Sequence, residues 1–186
     1  GVDLKLCHGY LGSQLIRPYN DRKWKYGGSW ENRSRFAFDL YERIEKEVND
    51  KNFLIGSKIS AWEGFPGGFG TAGPDSPIID LTEPIALIKG LEERGAQYFI
   101  ESLGSPSINP SLLQVDRHIP YISYLHQSFA KIFRENLKPE TVGIGSKIDT
   151  DEYHRLRLLG VPQREKRPER RDGRTKLAVP LWFSVH

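Results

Sequence analysis

Methionine is absent from this 186-residue chain, and cysteine occurs once, at Cys7. A single thiol excludes a disulfide framework and any all-cysteine zinc or iron–sulfur site within the chain. It suits a reducing compartment, so a cytoplasmic location is expected. No apolar run approaches the roughly 20 residues that cross a bilayer, and no signal peptide opens the sequence, so a membrane partner is not expected. His118, His126, His154 and His186 lie too far apart to form a readable ligand set, and no metal is indicated. A G-x-S-x-G nucleophile motif is also missing. Zero methionine, with an opening already inside a strand pattern, reads as a piece of something longer.

Strong charge of one sign is lacking as well. The net charge of +3 is an average that misleads. Nine basic and five acidic residues fall between Asp151 and Lys176, which leaves 18 and 19 of the chain's 27 and 24 elsewhere. The basicity therefore belongs to a tail, and the rest is near neutral. In that tail the signs are mixed and the charged run holds no aromatics, so nucleic acid is not expected as a partner. Residues 149–186 break the rhythm of the preceding chain. They are charged and proline-interrupted, expected to be disordered, and change character as a frameshifted or truncated end would.

What is present is a core-forming fraction of 38% hydrophobic residues and an alternation of strand and helix signals. Val2 to Cys7 reads as a strand. Ser29 caps a helix striped by Phe36, Ala37, Leu40, Tyr41, Ile44 and Val48. Phe53 to Ile59 reads as a second strand, Thr82 opens a second helix, and Ala96 to Leu103 forms a third strand. A third helix runs through Ile122, Leu125, Phe129 and Phe133, and Thr141 to Ile144 is a fourth strand. Such alternation predicts α/β architecture with parallel βαβ units. The long connections (9–28, 60–81 and 104–117) all follow strands, which places a site at the strands' carboxyl ends. Gly68 to Gly73, "GFGTAG", matches G-x-G-x-x-G, but Pro74 and Pro77 follow where a helix would have to open. A mobile loop over the mouth is expected there instead of a dinucleotide site.

Two blocks carry a resemblance. "HGYL" follows the first strand, and "YGGSWENRSRF" matches at Tyr26, Gly27, Gly28, Ser29, Glu31, Asn32, Arg33, Arg35 and Phe36. Together they resemble the Old Yellow Enzyme family of flavin reductases. "LIGSKIS" (Leu54 to Ser60), "ESLGSPSINP" (Glu101 to Pro110) and "ETVGIGS" (Glu140 to Ser146) are similar to its later strands. The resemblance covers residues 1–148. It implies a partial TIM (β/α)8 barrel of about four consecutive units, strands four to seven, with the basic tail 149–186 unassigned.

The resemblance also implies chemistry: FMN as cofactor, NADH or NADPH as reductant, and a small α,β-unsaturated substrate of the enone or enoate type. Carried over by position, Lys5 and His8 hold the substrate's carbonyl oxygen and Tyr10 gives a proton to the α-carbon. Preorganised donors at an oxygen that gains negative charge would stabilise the transition state. Lys5 departs from the family's commoner histidine. Lys58 stands where the family usually has an arginine against the flavin, keeping the charge without the planar fork. Ser102 and Gly104 end the third strand facing the site. Gly143, Gly145 and Ser146 fall where barrel phosphate sites form, after strands seven and eight. A truncated barrel would leave sheet edges open, so self-association is expected. The competing expectation is a non-catalytic remnant of that family that no longer binds flavin.

Overall fold

The computed structural model describes residues 1–50, 52–113 and 120–144. The tail from 149 onward, with Gly145 and Ser146, lies outside the described residues. Four strands, β1 (Val2–Leu6), β2 (Ile55–Trp62), β3 (Tyr98–Leu103) and β4 (Val142–Ile144), form one sheet in the order β1-β2-β3-β4. Every pairing is parallel. Between them run α1 (Leu11–Ile16), α2 (Trp30–Val48), α3 (Thr82–Glu93) and α4 (Pro120–Asn136).

The helices form for local reasons. Ser29 stands at the N-cap of α2, Glu31 lies in its first turn, and Asn49 ends it in the left-handed conformation at φ 46° with its N–H bonded to Glu45 O. Asp80 accepts from the Thr82 N–H at 2.9 Å where α3 begins. An acidic first turn and a left-handed last residue are the usual devices for satisfying orphaned helix ends.

Two expectations shift. The segment 9–28 is not simply a loop, because α1 occupies Leu11–Ile16 and buries Leu15 and Ile16. Six residues are too few to show a helical stripe, so the sequence pattern conceals it. The second strand runs three residues beyond Ile59, to Trp62, with a bulge between Ser60 and Trp62.

Alternation across the strands separates two faces. Leu4, Leu6, Ile59, Ala61, Phe99 and Leu103 point outward and bury against the helices. On the opposite face, register brings Asp3, Gly56 and Tyr98 into one row and Lys5, Lys58 and Ile100 into the next. Tyr98 lies across Gly56 and donates its hydroxyl to Val2 O at 3.1 Å. A Cβ at residue 56 would stand 2.3 Å from the Tyr98 ring, so this row requires glycine.

Candidate active site

The carboxyl ends of β1 and β3 gather Lys5, His8, Tyr10 and Ser102, with Lys58 beside Lys5 within β2. Lys5 and Lys58 are direct register partners, two cations on one face of adjacent strands. Ser60 and Ser102 pair one row higher and are both fully buried. His8 follows β1 in the left-handed region at φ 61°, and Gly9 continues it at φ 74°. This sharp turn sends the imidazole sideways over the end of β2. Its Nε2 lies 2.7 Å from Ser102 Oγ on β3. The Lys5 ammonium sits 4.0 Å from the centroid of the Tyr10 ring, and Tyr10 is 58% exposed. An ammonium over an aromatic face is attractive and fixes the two side chains together.

The electrostatics follow from this crowding. Burial pushes the Cys7 thiol up to about 12, with Lys58 and Lys5 pulling the other way, so Cys7 is an inert packing residue. Partial desolvation raises the Asp3 carboxyl although the residue is exposed, and Lys58 and Lys5 oppose that rise.

The loops over this end are anchored by side chains that the sequence pattern did not single out. Glu63 is fully buried just after β2. Its carboxylate accepts from Arg17 Nε at 2.6 Å, Arg17 Nη2 at 2.8 Å, Ser13 Oγ at 2.8 Å and the Phe69 N–H at 2.8 Å. Four donors on one buried carboxylate replace its lost water, which is the condition for such a pair to persist. The same bonds hold the "GFGTAG" segment. Phe69 is fully buried and stacks on Trp30, so that segment is packed against the domain, contrary to the mobile loop expected. The one available hint was a glutamate directly after the apolar strand, in "ISAWEGF".

Asn109 ties the next loop. Its Nδ2 donates to Glu63 O at 2.6 Å and its Oδ1 accepts from the Ser105 N–H at 2.7 Å. Gly104 has φ 65°, and a Cβ there would meet the Leu112 Cβ at 2.7 Å. Its N–H donates to Trp62 O at 2.9 Å, so Gly104 offers close approach of backbone and not an available N–H. Gly143 lies within β4.

His126 of α4 closes the group. Nδ1 lies 2.9 Å from Glu101 Oε2, and Nε2 lies 2.9 Å from Leu112 O. Burial alone would lower its pKa, yet the Glu101 carboxylate and the Leu112 carbonyl outweigh it, and the net direction is upward. Among the described residues no group of three or more His, Cys, Asp or Glu side chains could hold a metal. No helix among them is long and apolar enough to cross a membrane.

The motif block "YGGSWENRSRF" proves to be scaffold. Arg33 is buried in the first turn of α2 and donates to Gly28 O at 3.0 Å and Ile16 O at 2.5 Å. The same guanidinium grips both oxygens of Glu83 at the start of α3. One arginine thereby joins α1, α2 and α3, the planar fork doing what a lysine could not.

Comparison with known proteins places the chain among flavin oxidoreductases. Residues 1–104 match the NADH:flavin oxidoreductase / NADH oxidase family. The chain is 32% identical over 146 residues to an NADH oxidase of Thermoanaerobacter brockii, covering 77% of this chain and 20% of that protein. It is 30% identical over 145 residues to an NADPH dehydrogenase of Bacillus velezensis, covering 77% of this chain and 37% of that protein. With an NADH:fumarate oxidoreductase of Klebsiella pneumoniae it shares 25% identity over 192 residues, 98% of this chain and 18% of that protein. The matched part of the chain thus spans 18% to 37% of the length of these relatives.

Proposed function

Because the chain belongs to the NADH:flavin oxidoreductase / NADH oxidase family, we propose that it carries the substrate-facing part of an FMN-dependent oxidoreductase that reduces activated C=C bonds at the expense of NADH or NADPH. Its four parallel strands then correspond to strands four to seven of a (β/α)8 barrel. The gathering of Lys5, His8, Tyr10 and Ser102 at the carboxyl ends of β1 and β3, with Lys58 beside Lys5 within β2, is the observation that supports this reading. A (β/α)8 barrel builds its site there.

The donor set suits a flavin. Lys58 places a cation on the inner face, one strand from the His8 turn, where the electron-rich edge of a reduced ring needs positive charge. Ser102, Gly104, Gly143, Gly145 and Ser146 are the remaining candidates for contact with FMN, the last three carried over from the family motif as those that would meet its phosphate. FMN, when bound, supplies the hydride chemistry. The protein's own residues do the rest. Lys5 and His8 donate hydrogen bonds to the substrate's carbonyl oxygen and stabilise the negative charge that develops on it. Tyr10 delivers a proton to the α-carbon. The Lys5 ammonium over the Tyr10 ring holds the two side chains together.

Tyr10→Phe tests the assignment in the whole enzyme. Reduction of the flavin by the nicotinamide needs no proton from Tyr10 and should proceed at nearly the native rate. The half-reaction with an enone should slow by about 100-fold or more, the scale of a general acid. Stopped-flow traces in which both halves slow equally would rule out the proton-donor role.

A further inference from the structure

Ser102 has a task beyond lining the site. We propose that Ser102 is the positioning residue for His8, holding its imidazole across the mouth of the sheet and donating its hydroxyl proton to Nε2, which keeps the ring's own proton on Nδ1. The choice of tautomer rests on the function proposed above. The tether itself rests on geometry alone.

His8 belongs to the end of β1 and Ser102 to β3, with β2 between them. Two strand spacings separate those backbones, about 10 Å. The gap is bridged because His8 adopts a left-handed backbone, disfavoured for any residue with a Cβ, and lays its ring over the end of β2 onto Ser102 Oγ at 2.7 Å. Ser102 is fully buried and held in register by Ser60, so its hydroxyl is a fixed post. His8 is half-buried, so its ring is the more accessible member of the pair.

The direction of the bond follows from the chemistry asked of His8. A neutral imidazole carries one N–H. If Nε2–H donated to Ser102, Nδ1 would carry a lone pair and would repel the oxygen that gains negative charge. If Ser102 O–H donates to Nε2, the ring proton resides on Nδ1 and can serve as the donor. The serine selects the useful tautomer before any substrate arrives.

The test uses the full chain with nitrogen-15-labelled histidine at about pH 8, where an ordinary imidazole is neutral. Long-range proton–nitrogen correlation spectra report which ring nitrogen is protonated, and His8→Asn assigns the His8 signals. The expected result is a dominant Nδ1–H tautomer. In Ser102→Ala its ratio to the Nε2–H form should fall at least about fivefold, the equivalent of one ordinary hydrogen bond, and Ser102→Thr should restore it. A wild-type ring protonated on Nε2, or an even mixture of the two forms, would overturn the proposal, and so would an unchanged ratio in Ser102→Ala. The wild-type spectrum and Ser102→Thr decide the matter even where Ser102→Ala does not fold. Failure of the Tyr10 half-reaction test would remove the proton-donor role of Tyr10 and leave the tether standing.

Discussion

At the scale of single residues, the buried Glu63–Arg17 pair is the strongest constraint on the loops around the site. Arg17 is 4% exposed and Glu63 is 0% exposed. Glu63→Gln keeps the shape but leaves the Arg17 guanidinium buried without its counter-charge. Breaking one side of a buried pair costs about 3–5 kcal/mol, and that loss should appear in denaturant unfolding followed by the fluorescence of Trp30 and Trp62. Trp30 stacks on Phe69, which the pair anchors, so its signal should change in the folded state as well. A loss under about 1 kcal/mol would mean that water or rearrangement supplies what the pair provides. Beyond the glutamate directly after an apolar strand, the sequence gives no sign that this residue meets an arginine 46 positions away.

Between elements, the clamp of α4 on the β3 loop depends on pH. Both nitrogens of His126 face acceptors: Glu101 Oε2 from β3, and Leu112 O from the 3-10 turn Pro110–Leu113. Lys58 acts on the same ring with the opposite sign. A carbonyl can only accept, and a carboxylate accepts best, so the folded state favours the doubly protonated ring. Its pKa is therefore raised above 6.5 on folding. The sign follows from linkage: the contribution is complete below 6.5 and disappears as pH rises through the higher folded value. Melting temperature should fall between about pH 6 and pH 9 in the native chain. His126→Gln should start lower and flatten that interval. A native profile that is level across the interval would show that the ring is neutral in the fold.

For the molecule as a whole, the open sheet is the governing fact. Among the described residues β1 pairs only with β2 and β4 only with β3, so both edges keep unpaired backbone groups. Tyr10, Leu11 and Ile108 are more than half exposed at the carboxyl-end loops. A complete barrel takes about 250 residues and closes its edges. The 186-residue chain by itself should therefore self-associate and bind FMN weakly or not at all. Size-exclusion chromatography beside equilibrium dialysis reads both. A monomer retaining stoichiometric FMN at micromolar concentration would show that this chain suffices.

Period and punctuation were enough to specify the four strands along the chain and three of the four helices, while the resemblance implied that the strands are neighbours. Apolar residues recur at fixed spacing wherever an element buries one face, as in Phe36 to Val48, and long connections after strands point to one end of the sheet. The family motif could be read because its residues are contiguous, and Arg33 shows why it is kept together: one side chain stitches three helices. The partners across the fold were decided only in three dimensions. His8 meets Ser102 across 94 positions and Arg17 meets Glu63 across 46. Such contacts arise from register, from a left-handed turn and from the absence of water around a buried charge. These are properties of the packed chain, and they leave no local pattern in the order of its residues.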